Sequence, residues 1–111
     1  MPQTVLSKKD MVHLLRHGRI RDWNRYRKDN PGRVDLCGVK LRSANLMDAD
    51  LSLADLSRAK LNKTNLQHTN LSGAHLVDAD LRGANYVYAT MSSAQLALFH
   101  KAQDKTIVIT D

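Results

Sequence analysis

The chain has 111 residues, with 17 Lys plus Arg, 11 Asp plus Glu and one Cys, and its formal net charge is +6. That length fits one domain and excludes a two-domain enzyme, while a single Cys excludes an internal disulfide. No stretch approaches the ~20 apolar residues of a membrane span, and the start has no apolar run of a secretion signal. We therefore expect a cytoplasmic protein with no membrane partner.

Residues 1–33 are predicted to form a helical cap. A first helix is expected over residues 7–18, with Ser7 as N-cap and Gly18 as its end. Its apolar stripe consists of Met11, Leu14 and Leu15. A second helix is expected from about Arg21 to Lys28, carrying Trp23 and Tyr26, before the turn Asn30-Pro31-Gly32.

An apolar residue recurs every five residues through the middle of the chain. Across 13 consecutive pentads it is Leu except at Tyr86 and Met91, and the residue two before it is Ala, Thr or Val. The residue just before it is Asp or Asn in eight of the 13 pentads. The positions of the repeated apolar residue are 36, 41, 46, 51, 56, 61, 66, 71, 76, 81, 86, 91 and 96.

A period of five matches neither a helix, at 3.6 residues per turn, nor a strand, at 2.0. It predicts a short extended piece followed by a turn, repeated. The large and small apolar residues, two apart, then point the same way into a core. Turn-compatible residues, among them Gly38, Gly73 and Asp48, occupy the last position of the pentad.

Residues 45–61, which contain Ala-Asp-Leu-Ser-Leu-Ala-Asp-Leu-Ser-Arg, resemble the pentapeptide-repeat family, whose signature is Ala-Asp/Asn-Leu-x-x in tandem. The resemblance covers roughly residues 34–98. It implies a mainly β fold: a right-handed quadrilateral β-helix, with four pentads in each 20-residue coil and about three coils. Columns of period 20 are then expected, including Asp55 under His75, Arg58 under Asp78 and Lys60 under Asp80. Asn45, Asn65 and Asn85 would form another column, a candidate hydrogen-bonded ladder.

Residues 99–111 are expected to form a C-terminal cap or tail. A helix capped by Ser92 or Ser93 is expected to run to Ala102, so Leu96 belongs either to the last coil or to that helix. The segment Thr106–Thr110 is rich in β-branched residues. It has three alternatives: pairing with the last coil, with a second chain, or with nothing. We favour a homodimer through this end, because apolar surface at a sheet end tends to be covered.

The side chains that suggest chemistry have simpler explanations. His13 and His17 share a predicted helix, but Asp10 is expected on another side, so no metal site is expected. Asp55, Ser57 and His75 fall together on an outer surface that offers no pocket or oxyanion hole. Cys37 points outward without a sequence feature that activates its thiol. We therefore expect no catalytic residues, no metal and no cofactor.

Charge placement is more informative. The side of the coil centred on Leu41, Leu61 and Leu81 carries five of the six basic residues in the repeat array, against Asp80 alone. One interpretation is that these side chains merely solvate the solenoid. The other is a docking face for an anionic partner, continuous with the basic N-terminal helices. The candidate basic docking face consists of Lys40, Arg42, Lys60, Lys63 and Arg82.

The resemblance implies a binding scaffold without catalytic activity. Some family members protect DNA gyrase by imitating duplex DNA, but those are long and acidic, whereas this chain is short and basic. Our main prediction is a non-enzymatic protein–protein interaction module whose partner is unknown. The alternative is a nucleic-acid-associated or DNA gyrase/topoisomerase-modulating protein.

Overall fold

A computed structural model describes residues 5–92, 95, 108 and 109 of the chain. Two α-helices precede a solenoid in which regular β-structure is confined to two-residue pieces, because a turn interrupts the chain every five residues. The elements are α1 (Lys8–Arg16), α2 (Ile20–Asp29), β1 (Val34–Asp35), β2 (Ala54–Asp55), β3 (Thr90–Met91) and β4 (Val108–Ile109). Within the described residues, neither helix has the length and apolarity that a membrane crossing requires.

Successive coils are 20 residues long and stack in parallel. β1 pairs with β2 in the register Val34↔Ala54, and single bridges continue the same register around the coil, such as Asp50↔Asn70. The predicted columns Asn45/Asn65/Asn85, Asp55/His75 and Lys60/Asp80 are therefore confirmed. We number the coils 1 (34–53), 2 (54–73) and 3 (74–92).

A left-handed backbone conformation recurs at the second residue after each repeated apolar residue. Positive φ angles occur at 11 such positions, from Gly38 to Tyr88, and only three of these residues are glycine. In each case the amide of the next residue donates to the carbonyl of the repeated apolar residue, as in Thr64 N to Leu61 O at 3.2 Å. A positive φ at the third position of a four-residue turn is the mark of a type II turn.

The Asp and Asn residues before the repeated Leu hold these turns. All eight of them accept a hydrogen bond from the backbone amide two residues later, as in Gln67 N to Asn65 Oδ1 at 3.0 Å. This Asx turn satisfies an amide that the coil-to-coil ladder does not use. Among the described residues no hydrogen bond joins the side-chain amides of Asn45, Asn65 and Asn85 to one another, so the predicted ladder is wrong. Each Oδ1 is used within its own pentad.

The core is a column of leucines. Leu36 to Leu76 are fully or almost fully buried, as is Met91, whereas Leu81 and Tyr86 in coil 3 are partly buried. Most of the small residues beside them are buried as well, whereas Val34, Ala79 and Ala84 are partly buried. The Thr64 and Thr69 hydroxyls donate to backbone carbonyls within the core. The predicted inward orientation is confirmed.

The two helices form where the sequence predicts them, within one or two residues. Asp10 N donates to Ser7 Oγ at 3.1 Å, which confirms the N-cap. Gly18 follows α1 with φ +68°, a conformation that favours glycine. Met11, Leu15 and Trp23 are buried in the core, whereas Leu14 is only partly buried.

Side chains from this helical region take the place of a coil that precedes coil 1. Arg16 donates to Lys40 O, Trp23 Nε1 to Asp50 O, and Asn24 accepts from Asp50 N at 2.7 Å. The equivalent carbonyls in coil 2, those of Lys60 and Asn70, accept hydrogen bonds from backbone amides of coil 1 rather than from side chains. The cap thus satisfies edge groups that would otherwise lack partners.

The C-terminal end is covered in part by the chain itself. β4 pairs in parallel with β3, Thr90 opposite Val108, so of the three alternatives this segment takes the pairing with the last coil. The Gln95 side chain bridges backbone groups of coils 2 and 3: it accepts from Gly73 N and donates to Ala74 O. Most of the predicted helix from Ser92 or Ser93 to Ala102 lies outside the described residues. Association of two chains stays a prediction.

Candidate interaction surface

The five residues of the basic docking face are all exposed and lie on one side of the solenoid. The coil register places Lys40 over Lys60 and Lys60 over Asp80. The other three side chains follow the same side into the next corner of the coil. The structure therefore brings the predicted set together.

Three of the five cations converge at a corner. Arg42, Lys63 and Arg82, with Asn62 and Gly83, line a shallow depression of about 410 Å³. They are the turn residues that follow Leu41, Leu61 and Leu81, so the 20-residue register alone brings them together. We call Arg42, Lys63 and Arg82 the basic corner.

Arg82 is held by the one acidic residue on this face. Its Nε donates to Asp80 Oδ1 at 2.9 Å and its Nη2 to Asp80 Oδ2 at 2.8 Å. Hydrogen bonds from the Arg82 side chain and backbone amide lower the pKa of Asp80 to about 2, and the pair raises the pKa of Arg82. The pairing orients the guanidinium and partly neutralises its charge, while its side chain stays 87% exposed.

The basic docking face continues onto the cap. Arg16, at the end of α1, is exposed and donates from Nη2 to Lys40 O at 2.9 Å. α1 therefore lies over the first coil beside this face, whereas α2 binds residues 48–52 on the far side. The sequence predicted this continuity, but not that Arg16 would provide it.

The two histidines at the C-terminal end of α1 lie side by side. The His13 and His17 ring centroids are 4.4 Å apart, and Asp10 lines the same shallow depression on α1. The expectation that Asp10 lies elsewhere is wrong, because one helical stripe carries all three residues. Even so, the described part of the chain contains no group of three or more residues able to hold a metal ion.

Asp55 and Ser57 form a turn contact. Hydrogen bonds from the Ser57 hydroxyl and amide lower the pKa of Asp55, and the nearby charges of His75 and Arg33 act in the same direction. Within residues 5–92, His75 makes no hydrogen bond to Asp55 or Ser57. The set stacks as predicted and serves the fold.

Cys37 is half-buried beside a guanidinium. Arg58 Nη2 donates to Cys37 Sγ at 3.1 Å, and this hydrogen bond raises the pKa of Arg58. The two residues are 21 apart, so the coil register creates the contact.

Two lining residues of the corner depression were missed at the level of sequence. Asn62 and Gly83 carry no charge, so a search for basic residues passes over them. The available signal was the register, because Asn62 stacks between Arg42 and Arg82, and Gly83 lies one coil beyond Lys63.

Comparison with known proteins agrees with the repeat. The pentapeptide-repeat model matches residues 32–67, 49–85 and 64–97, which together cover more than half of the chain. The chain belongs to the pentapeptide-repeat family. Proteins of this family are generally non-enzymatic repeat proteins.

One solved structure with sequence similarity is a pentapeptide-repeat protein from the thylakoid lumen of Arabidopsis thaliana. It is 35% identical over 52% of this chain and 48% of its own, with a TM-score of 0.31. No curated protein matches this pentapeptide-repeat chain in sequence.

Proposed function

We propose that this pentapeptide-repeat chain is a non-enzymatic interaction module, a right-handed quadrilateral β-helix that binds an acidic surface of a protein partner. The observation that carries the proposal is the placement of Lys40, Arg42, Lys60, Lys63 and Arg82 on one side of a rigid solenoid. Membership of the family supports a binding role in general.

A rigid scaffold suits this role for a physical reason. The coil-to-coil ladder and the turn bonds hold the backbone at every pentad, so little main-chain freedom is lost when a partner docks. Preorganisation of this kind reduces the entropic cost of association. Exposed cations on such a surface accelerate encounter with an anionic partner and select against basic ones.

Charge reversal on the basic docking face tests the proposal. Immobilised wild-type chain, Lys63→Glu and Lys28→Glu are incubated with an extract of the native cell, and bound proteins are identified by mass spectrometry. Lys28 is a matched control, because it is exposed on α2, which lies over the opposite side of the first coil. Both substitutions change the net charge by the same amount.

We expect a protein partner that Lys28→Glu retains and Lys63→Glu loses. Thermal unfolding of the three proteins checks that the fold is intact. A partner bound equally by all three would contradict the proposal. Binding of random duplex DNA, with affinity that falls steeply as salt rises, would favour the nucleic-acid alternative instead.

A further inference from the structure

The depression at the basic corner presents only hydrogen-bond donors from its charged side chains. Arg42 and Lys63 make no ion pair or hydrogen bond through their side chains within the described residues, and each is exposed. Arg82 uses Nε and Nη2 for Asp80, which leaves Nη1 facing no partner among those residues. Guanidinium and ammonium groups have no acceptor, so these three side chains match a ligand rich in acceptors.

Gly83 keeps the depression open. A Cβ at this position would meet Lys63 Cγ at 3.4 Å, so a side chain there would occupy the space beside the cations. A positive φ favours glycine here but does not require it, because the φ of +74° lies close to that of Asp48, at 67°, and Lys63, at 60°. A non-glycine residue is thus accommodated at the equivalent position elsewhere in the solenoid.

We propose that this depression is the anchoring subsite for a Glu-x-Glu or Asp-x-Asp segment of an extended peptide, with Arg42 and Lys63 each pairing with one carboxylate. The proposal rests on the proposed function and names the part of the partner that this side recognises. Alternate residues of an extended chain point the same way about 6.7 Å apart. Cations in adjacent coils, whose backbones are about 4.8 Å apart, reach both carboxylates through their flexible side chains.

Carboxylates fit the site better than a nucleic-acid strand does. Arg42 and Lys63, which have no ion-pair partner among the described residues, match two carboxylates. The Arg42 guanidinium can bind a carboxylate through two parallel hydrogen bonds. No aromatic side chain lines the depression, whereas proteins that bind single strands combine cations with aromatic platforms for the bases. Because Arg82 is paired with Asp80, it adds an oriented hydrogen-bond donor to the site but little net charge.

Fluorescence anisotropy with labelled peptides tests the subsite on the full chain. The probe is an unstructured 12-residue peptide with a central Glu-Gly-Glu, and its control carries Gln-Gly-Gln. A single-stranded oligothymidylate serves as the nucleic-acid arm. The first protein variant is Gly83→Asp, which places a carboxylate in the depression. The second is Gly73→Asp, which introduces the same charge at a glycine of equivalent backbone conformation on the opposite corner. Gly73 has φ +73°, and among the described residues its new Cβ would come closest to the Leu53 side chain, at 2.7 Å from Cδ2.

We expect the Glu peptide to bind the wild-type chain at least about tenfold more tightly than the Gln peptide. Gly83→Asp should weaken that binding at least about tenfold, and Gly73→Asp less than about twofold. Equal affinity for the two peptides, equal weakening by the two variants, or tighter binding of the oligothymidylate would each overturn the subsite. Circular dichroism checks that both variants fold.

The result is separable from the test of the proposed function. A captured partner that is lost with Lys63→Glu yet retained with Gly83→Asp would keep the docking face and overturn the subsite. A partner that both variants retain would overturn both. Loss with both, together with discrimination between the Glu and Gln peptides, supports the subsite.

Discussion

The helical cap and the coils satisfy the same kind of backbone group by different means. Between coils, amides and carbonyls pair with each other at a fixed spacing of 20 residues. At the N-terminal edge the partners are side chains: an indole, an amide and basic groups that donate to coil 1. A further coil can pair through the same backbone hydrogen bonds. The end of the array instead needs particular side chains that no other part of the described chain repeats.

The difference shows where this fold is vulnerable. A ladder bond removed within the array leaves neighbouring bonds in place above and below. Trp23 by contrast fills the core and supplies an edge hydrogen bond from one side chain. We therefore expect the cap to be more sensitive to single substitutions than a pentad is.

The largest effect is expected at Trp23. Trp23→Ala should lower the free energy of unfolding by about 3–5 kcal/mol, because it leaves a cavity at the end of the leucine column. It also removes the donor to Asp50 O, which is 2.8 Å from Nε1. Trp23→Phe keeps most of the apolar volume and should cost about 1–3 kcal/mol through the unpaired carbonyl. Urea unfolding monitored by circular dichroism measures both; equal losses would show that the hydrogen bond carries the whole effect.

The next effect compares the middle of the array with its end. Leu61 is 0% exposed, whereas Leu81, one coil later in the same column, is only partly buried. Leu61→Ala should cost about 2–5 kcal/mol, and Leu81→Ala less, because the cavity it leaves is more open to solvent. Urea midpoints of the two variants decide the point. A Leu81 variant as unstable as the Leu61 variant would mean that coil 3 is sealed as tightly as coil 2.

A smaller effect is expected from the turn-holding amides. Asn65→Ala removes the acceptor for Gln67 N, 3.0 Å away, and should cost about 0.5–1.5 kcal/mol. His75→Ala is the control, since His75 occupies the same place before a Leu but makes no such turn bond within the described residues. Thermal unfolding should separate the two variants. If both lose the same stability, the Asx bond contributes nothing beyond side-chain burial.

The smallest effect concerns pH. Because the pKa of Asp80 is lowered to about 2 by Arg82, the folded state favours the ionised carboxylate. Its contribution is therefore present above the ordinary Asp pKa and is lost as pH falls through about 2. The melting temperature of wild type should exceed that of Asp80→Asn at pH 7, and the difference should shrink between pH 4 and pH 2. A difference that stays constant over that range would exclude the Asp80–Arg82 pair as its cause.

The sequence by itself determined the repeating unit. The inward leucines, the turn after each one and the 20-residue columns all follow from a pattern of five residues, once the family resemblance sets four pentads to a coil. These features rest on contacts within one pentad or between identical positions, so the pattern repeats their cause many times. The boundaries of α1 and α2 were predictable for a similar reason, because Ser7 and Gly18 act locally.

Only the tertiary structure decided which partner each polar side chain takes. Asn65 had a neighbour of its own kind one coil away, yet its oxygen accepts from the amide two residues along, which has no ladder partner among the described residues. Trp23 and Arg16 find their carbonyls 27 and 24 residues away, through the path of two helices across the coil. Such contacts depend on the angle and depth at which one element lies on another, and no period in the sequence records that geometry.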